Sequence, residues 1–320
     1  MMFSPEPPKR RAMNNITPRS HSINADGNHR IPVYLWEPKQ APTAVIQVFH
    51  GLGEHSARYD RLAQAAMEHG YAVCAHDHRG HGPESLEIGF FAPEGGWNLL
   101  VADGRRVFEF LRQRFPEVPV ILLGHSMGSF LAQSYAMRFG NDLGGLILSG
   151  STWPSRIEAK IARLLAHVIA WRRGKHSASP FLDKQGFGNF NKRFEPARTD
   201  FDWLSRDPTE VDAYIDDPLC GGPYTTGLWI DLLGGLLDYS SDQALRRIPE
   251  KLPILITGGA DDPVGGEHSM RALSSRYEKT GHVNLSMKTY DGGRHEMLNE
   301  TNRGEFTNDL LGWVANKLSH

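Results

Sequence analysis

The amino-acid sequence predicts an α/β fold: a mostly parallel sheet with helices on both faces and one helical insertion. Two observations carry that expectation. Short apolar runs rich in β-branched residues alternate with longer helical patterns along most of the chain, as strands joined by crossover helices do. The alternation lapses between about residues 150 and 240, where helical patterns and turns occur without any run that reads as a buried strand.

In chain order, residues 1–19, with prolines at 5, 7, 8 and 18, are too polar to pack and are expected to form a loose arm. Residues 20–23 and 31–36 flank the turn-rich stretch 24–28 (Asn-Ala-Asp-Gly-Asn), a hairpin signal. Residues 43–49, 71–75, 118–123, 143–148, 254–257 and 283–290 read as strands, and 59–68, 97–114, 127–139, 267–276 and 303–317 as helices. The core is expected over residues 20–150 and 241–320. Residues 151–240, with helical patterns at 156–171 and 226–237, are expected as a cap over the carboxyl edge of the sheet, where open α/β folds bind ligands.

Length and charge narrow the function. The chain has 320 residues, enough for one large α/β domain with an insertion. Thirty-five Lys and Arg against 37 Asp and Glu leave a formal charge of −2, so no chain-wide basic field exists for nucleic acid, and no nucleic-acid partner is expected. Cys74 and Cys220 are too few for a disulfide framework or a four-cysteine zinc site. No run of eighteen apolar residues occurs, and residues 1–11 lack the apolar core of a signal peptide, so a soluble, cytoplasmic protein is expected. His50, His55, His78 and His81 beside Glu54 and Asp77 fit no helix-borne metal pair, and Gly258-Gly259 and Gly292-Gly293 open no phosphate loop. No cofactor and no metal are expected.

Residues 118–128 read Val-Pro-Val-Ile-Leu-Leu-Gly-His-Ser-Met-Gly, an apolar strand running into a Gly-x-Ser-x-Gly turn with a helical pattern behind it. The pentapeptide alone is a weak signal, and the strand before it and helix after it make it specific. Side chains at Gly124 or Gly128 would collide with the neighbouring helix and strand in so tight a turn. A serine hydroxyl becomes an effective nucleophile when an imidazole removes its proton, and that imidazole needs an acid to hold its tautomer. Both follow, each on a loop after a strand: the pair Asp261-Asp262, then His295. A lone histidine is usually structural; one placed in this order points to a base.

On these residues, with His50-Gly-Leu-Gly-Glu-His55, Arg58-Tyr59, Asp77-His-Arg-Gly-His-Gly82, Asp262-Pro-Val264 and His295-Glu296, the chain resembles the monoacylglycerol lipase and lysophospholipase branch of the α/β-hydrolases, sometimes grouped with serine aminopeptidases. The likeness runs from Ser20 onward. In the insertion, Asn191-Lys-Arg-Phe194, Asp202-Trp-Leu-Ser-Arg-Asp207 and Asp217-Pro-Leu-Cys-Gly221 resemble bacterial members described broadly as lysophospholipases or esterases. The resemblance implies the α/β-hydrolase fold and a catalytic triad of Ser126, His295 and an aspartate. It implies an oxyanion hole made by the backbone N–H groups of Leu52 and Met127. It also puts Glu54, Arg58 and Tyr59 near the polar end of the pocket and His125 beside an alcohol leaving group; a supporting network is the alternative for these residues. In the family the acid stands nine residues after a strand-opening proline and three after a glycine. Pro253 and Gly259 both lead to Asp262, whereas counting from Gly258 leads to Asp261.

The implied activity is hydrolysis of carboxylic esters of lipids, monoacylglycerol or lysophospholipid, so the expected partner is a small lipid or ester substrate. A short-chain carboxylesterase is the runner-up, and a non-catalytic receptor of the same fold is the rival of another class. The sequence carries no signal for an oligomeric state. In the insertion, Ile157, Ile161, Leu164, Leu165, Val168 and Ile169 recur at helical spacing among Arg156, Lys160, Arg163, Arg172, Arg173 and Lys175, with Glu158 the one acid between residues 151 and 175. Such a helix either packs its apolar face onto the core or lies at a lipid surface, giving peripheral membrane contact through the cap.

Overall fold

The structure, a computed structural model, describes residues 17–26 and 29–318. β1 (Arg19–Asn24) and β2 (Arg30–Trp36) form the expected antiparallel hairpin. Gly27 and Asn28 of its turn, and residues 1–16 of the expected loose arm, lie outside the described residues. β1 begins at Arg19, opposite Leu35, one residue inside the stretch expected to be loose. β3 (Ala44–Phe49), β4 (Tyr71–His76), β5 (Val120–His125), β6 (Gly145–Ser149), β7 (Ile254–Gly259) and β8 (Leu285–Tyr290) complete an eight-stranded sheet in the order β1-β2-β4-β3-β5-β6-β7-β8. β2 meets β4 antiparallel, and every pairing from β4 to β8 is parallel.

β3, β4, β5, β6 and β7 are buried along their whole length, because helices cover both faces. α1 (Asp60–Glu68) and α10 (Arg303–Leu318) bury Leu62, Phe306 and Leu310 with Ile46 and Val48 of β3. α2 (Gly96–Arg114), α3 (Met127–Phe139) and α9 (Glu267–Lys279) bury Phe108, Leu131 and Leu273 with Val45 and Phe49 on the opposite face. Side chains of one strand thus serve two cores by the period of two that a strand imposes.

Between Ser149 and Ile254 the chain adds no strand to this sheet. It forms α4 (Arg156–Arg173), α5 (Pro180–Phe187), α6 (Pro208–Asp216), α7 (Thr226–Tyr239) and the short α8 (Asp242–Leu245). α4 and α7 match the periodic stretches. α5, α6 and α8 escaped notice because they are too short to display a face, although each starts on a side-chain cap, at Ser179, Asp207 and Ser241. α4 packs along α7 and buries Ala159 and Ala166. Its larger apolar residues point outward: Ile157, Ile161, Leu164 and Trp171 are 72, 64, 66 and 82 % exposed. Of the expected apolar stripe, Ile169 packs against the core. No helix among the described residues is long and apolar enough to cross a membrane.

Candidate active site

Ser126 stands between β5 and α3 with φ 52° and ψ −122°, and among the described residues it alone combines a side chain with a positive φ. Such a backbone costs about 1–3 kcal/mol and persists only where its surroundings enforce it. They do so here by close approach. A Cβ on Gly128 would lie 2.0 Å from the Phe49 carbonyl oxygen, and one on Gly124 2.3 Å from that of Gly128. The Ser126 N–H donates to the Ser149 carbonyl at 2.9 Å, which ties the turn to β6.

The loops after β7 and β8 bring Asp262 and His295 to the same edge. His295 Nδ1 lies 2.9 Å from both carboxylate oxygens of Asp262, and Oδ1 also accepts the Val264 N–H at 2.8 Å. Both side chains are buried. Burial alone would lower the His295 pKa, but the charge and hydrogen bond of Asp262, then the charges of Glu296 and Glu54, carry it above its ordinary 6.5. Burial likewise opposes ionisation of Asp262, and His295 with two backbone N–H groups outweighs it, holding the carboxyl below its usual range. Asp261 points elsewhere: it is partly exposed and pairs with Arg193 at 2.5 Å. Of the two adjacent acids, the fold therefore sets Asp262 against the imidazole.

Ser126, Met127, Leu52, Glu54, His125 and His295 line one cavity of about 650 Å³. Its walls include Phe130, Phe187, Phe190, Trp203, Trp229 and Leu233. Neither the Leu52 nor the Met127 N–H has an acceptor among the described residues, although both residues are at the cavity wall. Arg58 and Tyr59, expected at the pocket's polar end, line instead a small recess with Glu54, His125 and Glu296. They are engaged there: Tyr59 donates to Glu54 at 2.9 Å, and Arg58 donates to Glu54 at 3.1 Å and twice to Glu296 at 2.6 Å. Burial would raise the Glu296 pKa, but Arg58 draws it down to about 2. Burial and then the His295 charge lower that of His125 below its ordinary 6.5.

The histidines weighed for a metal separate into two groups. His50, His78 and His81 are buried together with His76, which the sequence reading did not weigh, and pack ring against ring, His50 and His78 with centroids 4.1 Å apart and His76 and His78 4.8 Å apart. Burial takes His76 down to about 3 and His81 to about 4. His55 instead meets the insertion, with Nε2 2.8 Å from Asp217; with Cys220 these form the one group of metal-ligand types among the described residues, donor atoms within 4.8 Å of one another.

Trp203 and Tyr214 were not singled out from the sequence. The Trp203 ring lies 5.1 Å from that of His295, and the Trp203 and Leu204 carbonyls accept the N–H groups of His295 and Glu296 at 3.3 and 2.8 Å. Tyr214 donates to the Gly53 carbonyl at 2.9 Å. The stretch 202–207 had marked the family resemblance, but nothing local in it names the loop it meets.

A family model described as serine aminopeptidase, S33, matches residues 40–302. The monoglyceride lipase of Rattus norvegicus is 30 % identical over 310 residues, covering 94 % of this chain and 90 % of that protein. The monoacylglycerol lipase of Mycolicibacterium smegmatis is 28 % identical over 312 residues, covering 96 % and 100 %. Among solved structures, a highly thermostable carboxyl esterase from Bacillus coagulans, in complex with glycerol, matches with a TM-score of 0.87 at 26 % identity over 95 % of this chain and 99 % of that one. The chain belongs to the serine aminopeptidase S33 family, with the α/β-hydrolase fold. Within it, the chain stands in the monoglyceride-lipase-like branch, a group of carboxylic ester hydrolases.

Proposed function

We propose that the protein hydrolyses monoacylglycerols through an acyl-enzyme on Ser126. One observation carries this reading: a serine on a strained turn and a buried His295–Asp262 pair open onto one large cavity with aromatic and aliphatic walls. Commitment of Nδ1 to Asp262 leaves His295 Nε2 to take the Ser126 proton as Oγ attacks the ester carbonyl. The Leu52 and Met127 N–H groups receive the oxyanion, each such donor being worth about 3 kcal/mol in the transition state. Asp262 stays ionised and stabilises the imidazolium. His295 then protonates the departing glycerol oxygen, and water activated by the same imidazole releases the fatty acid and restores Ser126.

The head group follows from charge. The described cavity wall carries Lys184 against Glu54, Asp183, Asp200 and Glu296, a poor match for a phosphate and an acceptable one for neutral glycerol. The names of the rat and mycobacterial relatives support the same choice over lysophospholipid. Residues 151–240 act as a cap whose inner side holds the acyl chain. The outward apolar and basic face of α4 gives the cap peripheral contact with a membrane that supplies substrate.

Fatty-acid release from 1-monooleoylglycerol, oleoyl-lysophosphatidylcholine and p-nitrophenyl butyrate, with a fluorophosphonate to trap Ser126, tests the reading. The expected result is a kcat/KM for the monoacylglycerol at least tenfold above the other two, and a label on Ser126. Preference for butyrate makes the protein a short-chain esterase. No turnover and no label would leave a ligand-binding receptor.

A further inference from the structure

We infer that Glu54 is a positioning residue: by holding the Gly51 N–H it fixes the peptide unit preceding the one that presents the Leu52 N–H to the oxyanion, and Arg58 ties that constraint to the loop bearing His295. The inference rests on the proposed roles of Ser126 and His295.

The two peptide units that meet at Gly51 are each held. The Gly51 N–H donates to Glu54 Oε1 at 2.5 Å, and the Gly51 carbonyl lies 2.8 Å from His50 Nδ1, which donates to it. The tautomer of His50 is set by its other nitrogen, since Nε2 accepts the His78 N–H at 3.0 Å. In a trans peptide the C=O and N–H point in opposite directions. Anchoring the Gly51 oxygen on the His50 ring therefore turns the Leu52 N–H away from that ring. Gly51 makes the fit by lacking a side chain: a Cβ would lie 2.8 Å from Glu54 Oε1 and 3.3 Å from Ser126 Cβ.

Glu54 borders the cavity, yet its carboxylate is already occupied. Oε1 takes the Gly51 N–H and the Tyr59 hydroxyl, and Oε2 takes Arg58, three of the roughly four sites a carboxylate offers. Arg58 then spans three segments. It grips Glu296, next to His295, with two bonds of 2.6 Å, and its guanidinium lies 5.0 Å over the Tyr214 ring, whose hydroxyl donates to the Gly53 carbonyl. A flat guanidinium with five donors can make these contacts together, whereas a lysine ammonium is a single point. The oxyanion loop and the histidine loop are thereby braced by one buried network. Its function is geometric: it concerns where a donor points in the transition state, and only weakly how tightly ground-state ester binds.

Glu54→Ala and Glu54→Gln test this with four readouts: kcat and KM on a soluble ester, inhibition by a trifluoromethyl ketone that mimics the tetrahedral intermediate, inhibition by the fatty-acid product, and thermal midpoint. Loss of one oriented oxyanion donor predicts that Glu54→Ala lowers kcat about a hundredfold with KM within about threefold. Ketone inhibition should weaken by a similar factor while fatty-acid inhibition stays. Glu54→Gln keeps an oxygen for the Gly51 N–H and should recover at least tenfold of the loss. A raised KM with kcat retained would make Glu54 a substrate contact and overturn the inference, as would equal losses in the two variants or wild-type kcat in both. If Glu54→Ala does not fold, Tyr59→Phe, which removes one anchor of the carboxylate, should lower kcat a few fold, and an unchanged kcat overturns the proposal. Absence of a fluorophosphonate label on wild-type Ser126 would instead remove the acyl-enzyme reading itself.

Discussion

The floor and the roof of the cavity present different chemistry to its interior. The floor consists of the turns after β3, β5, β7 and β8, where buried polar groups meet at short range: Gly51 with Glu54, Glu54 with Arg58, Arg58 with Glu296, Asp262 with His295. The roof, built by the helices and turns between β6 and β7, lines the cavity with aromatic packing such as Phe187 against Trp229 and Tyr224, and is fastened to the core outside the cavity by backbone bonds to Gly53, Gly89 and the His295 loop and by side-chain pairs such as His55 with Asp217 and Arg206 with Glu300. An unpaired buried polar group costs about 1–3 kcal/mol, so a polar floor admits few arrangements. The apolar lining of the roof tolerates repacking at similar volume. Changes in the floor should therefore alter rate, and changes in the roof should alter which ester is chosen and where it is met.

The largest effect belongs to the floor. Ser126→Ala should reduce esterase kcat at least a thousandfold without loss of the thermal midpoint, because the alanine keeps the backbone and removes only the proposed nucleophile. His295→Ala should match it, and the double variant should be little worse, since the two act as a unit. Residual activity above a tenth of wild type would transfer the chemistry elsewhere.

Next come the adjacent acids. Asp262→Asn leaves the imidazole without the partner that selects its tautomer, and kcat should fall by orders of magnitude. Asp261→Asn loses a half-exposed pair with Arg193 and should stay within about threefold. A reversed ranking would break the assignment of the floor.

The pH profile sharpens the same point. The proposed mechanism needs neutral His295, and Asp262 with the nearby carboxylates raises its pKa, so kcat/KM should fall as pH drops through a midpoint above 6.5. Removing the charge in Asp262→Asn should move the acid limb of the remaining activity to lower pH. A wild-type midpoint below 6.5 would mean that burial outweighs Asp262.

The floor was far more legible in the sequence than the roof, for a physical reason. A turn that needs glycine at 124 and 128 and serine between them writes its geometry into five consecutive residues, and strand runs before Ser126, Asp261 and His295 mark where each loop begins. Between the two aspartates, Pro253 and Gly259 already lead to Asp262, and a long-range fact, the position of the His295 ring with Nδ1 2.9 Å from it, supports the same choice. In the roof, α4 showed a period but not a direction: the same stripe reads as buried or exposed until α7 is seen to take Ala159 and Ala166. Trp203 has no neighbour in sequence that reveals its contact with His295, 92 residues away by numbering. Arg58 and Tyr59 were left between substrate contact and a supporting network, and their engagement with Glu54 and Glu296 appears only in three dimensions.

A smaller effect is expected from the inner roof. Leu233 is buried at the cavity wall beside Leu232 and Leu236 on α7. Leu233→Phe adds volume where an acyl chain would lie, so kcat/KM should fall about tenfold for a long-chain monoacylglycerol and stay within about threefold for a short-chain one. Equal losses on both substrates would mean that the wall belongs to the catalytic floor after all.

The smallest effect on hydrolysis, and the largest on location, belongs to the outer roof. The structure corrects which charges are available there. Arg156 donates to the Leu237 and Ser240 carbonyls, Arg163 to that of Ile230 and Lys175 to that of Pro93, whereas Lys160, Arg172 and Arg173 are exposed with no partner among the described residues. A basic side chain near an anionic surface contributes about 1 kcal/mol, and an apolar one about 1.5–3 kcal/mol when it leaves water. The triple variant Lys160→Glu, Arg172→Glu and Arg173→Glu should abolish sedimentation with phosphatidylglycerol vesicles at low salt. Trp171→Ala should weaken it less, by up to about tenfold. Hydrolysis of a soluble short-chain ester should be unchanged in both, because neither touches the floor. Should the wild-type protein fail to sediment with such vesicles at low salt, α4 is only a wall of the cavity, and the outward turn of Ile161, Leu164 and Trp171 loses the explanation offered for it here.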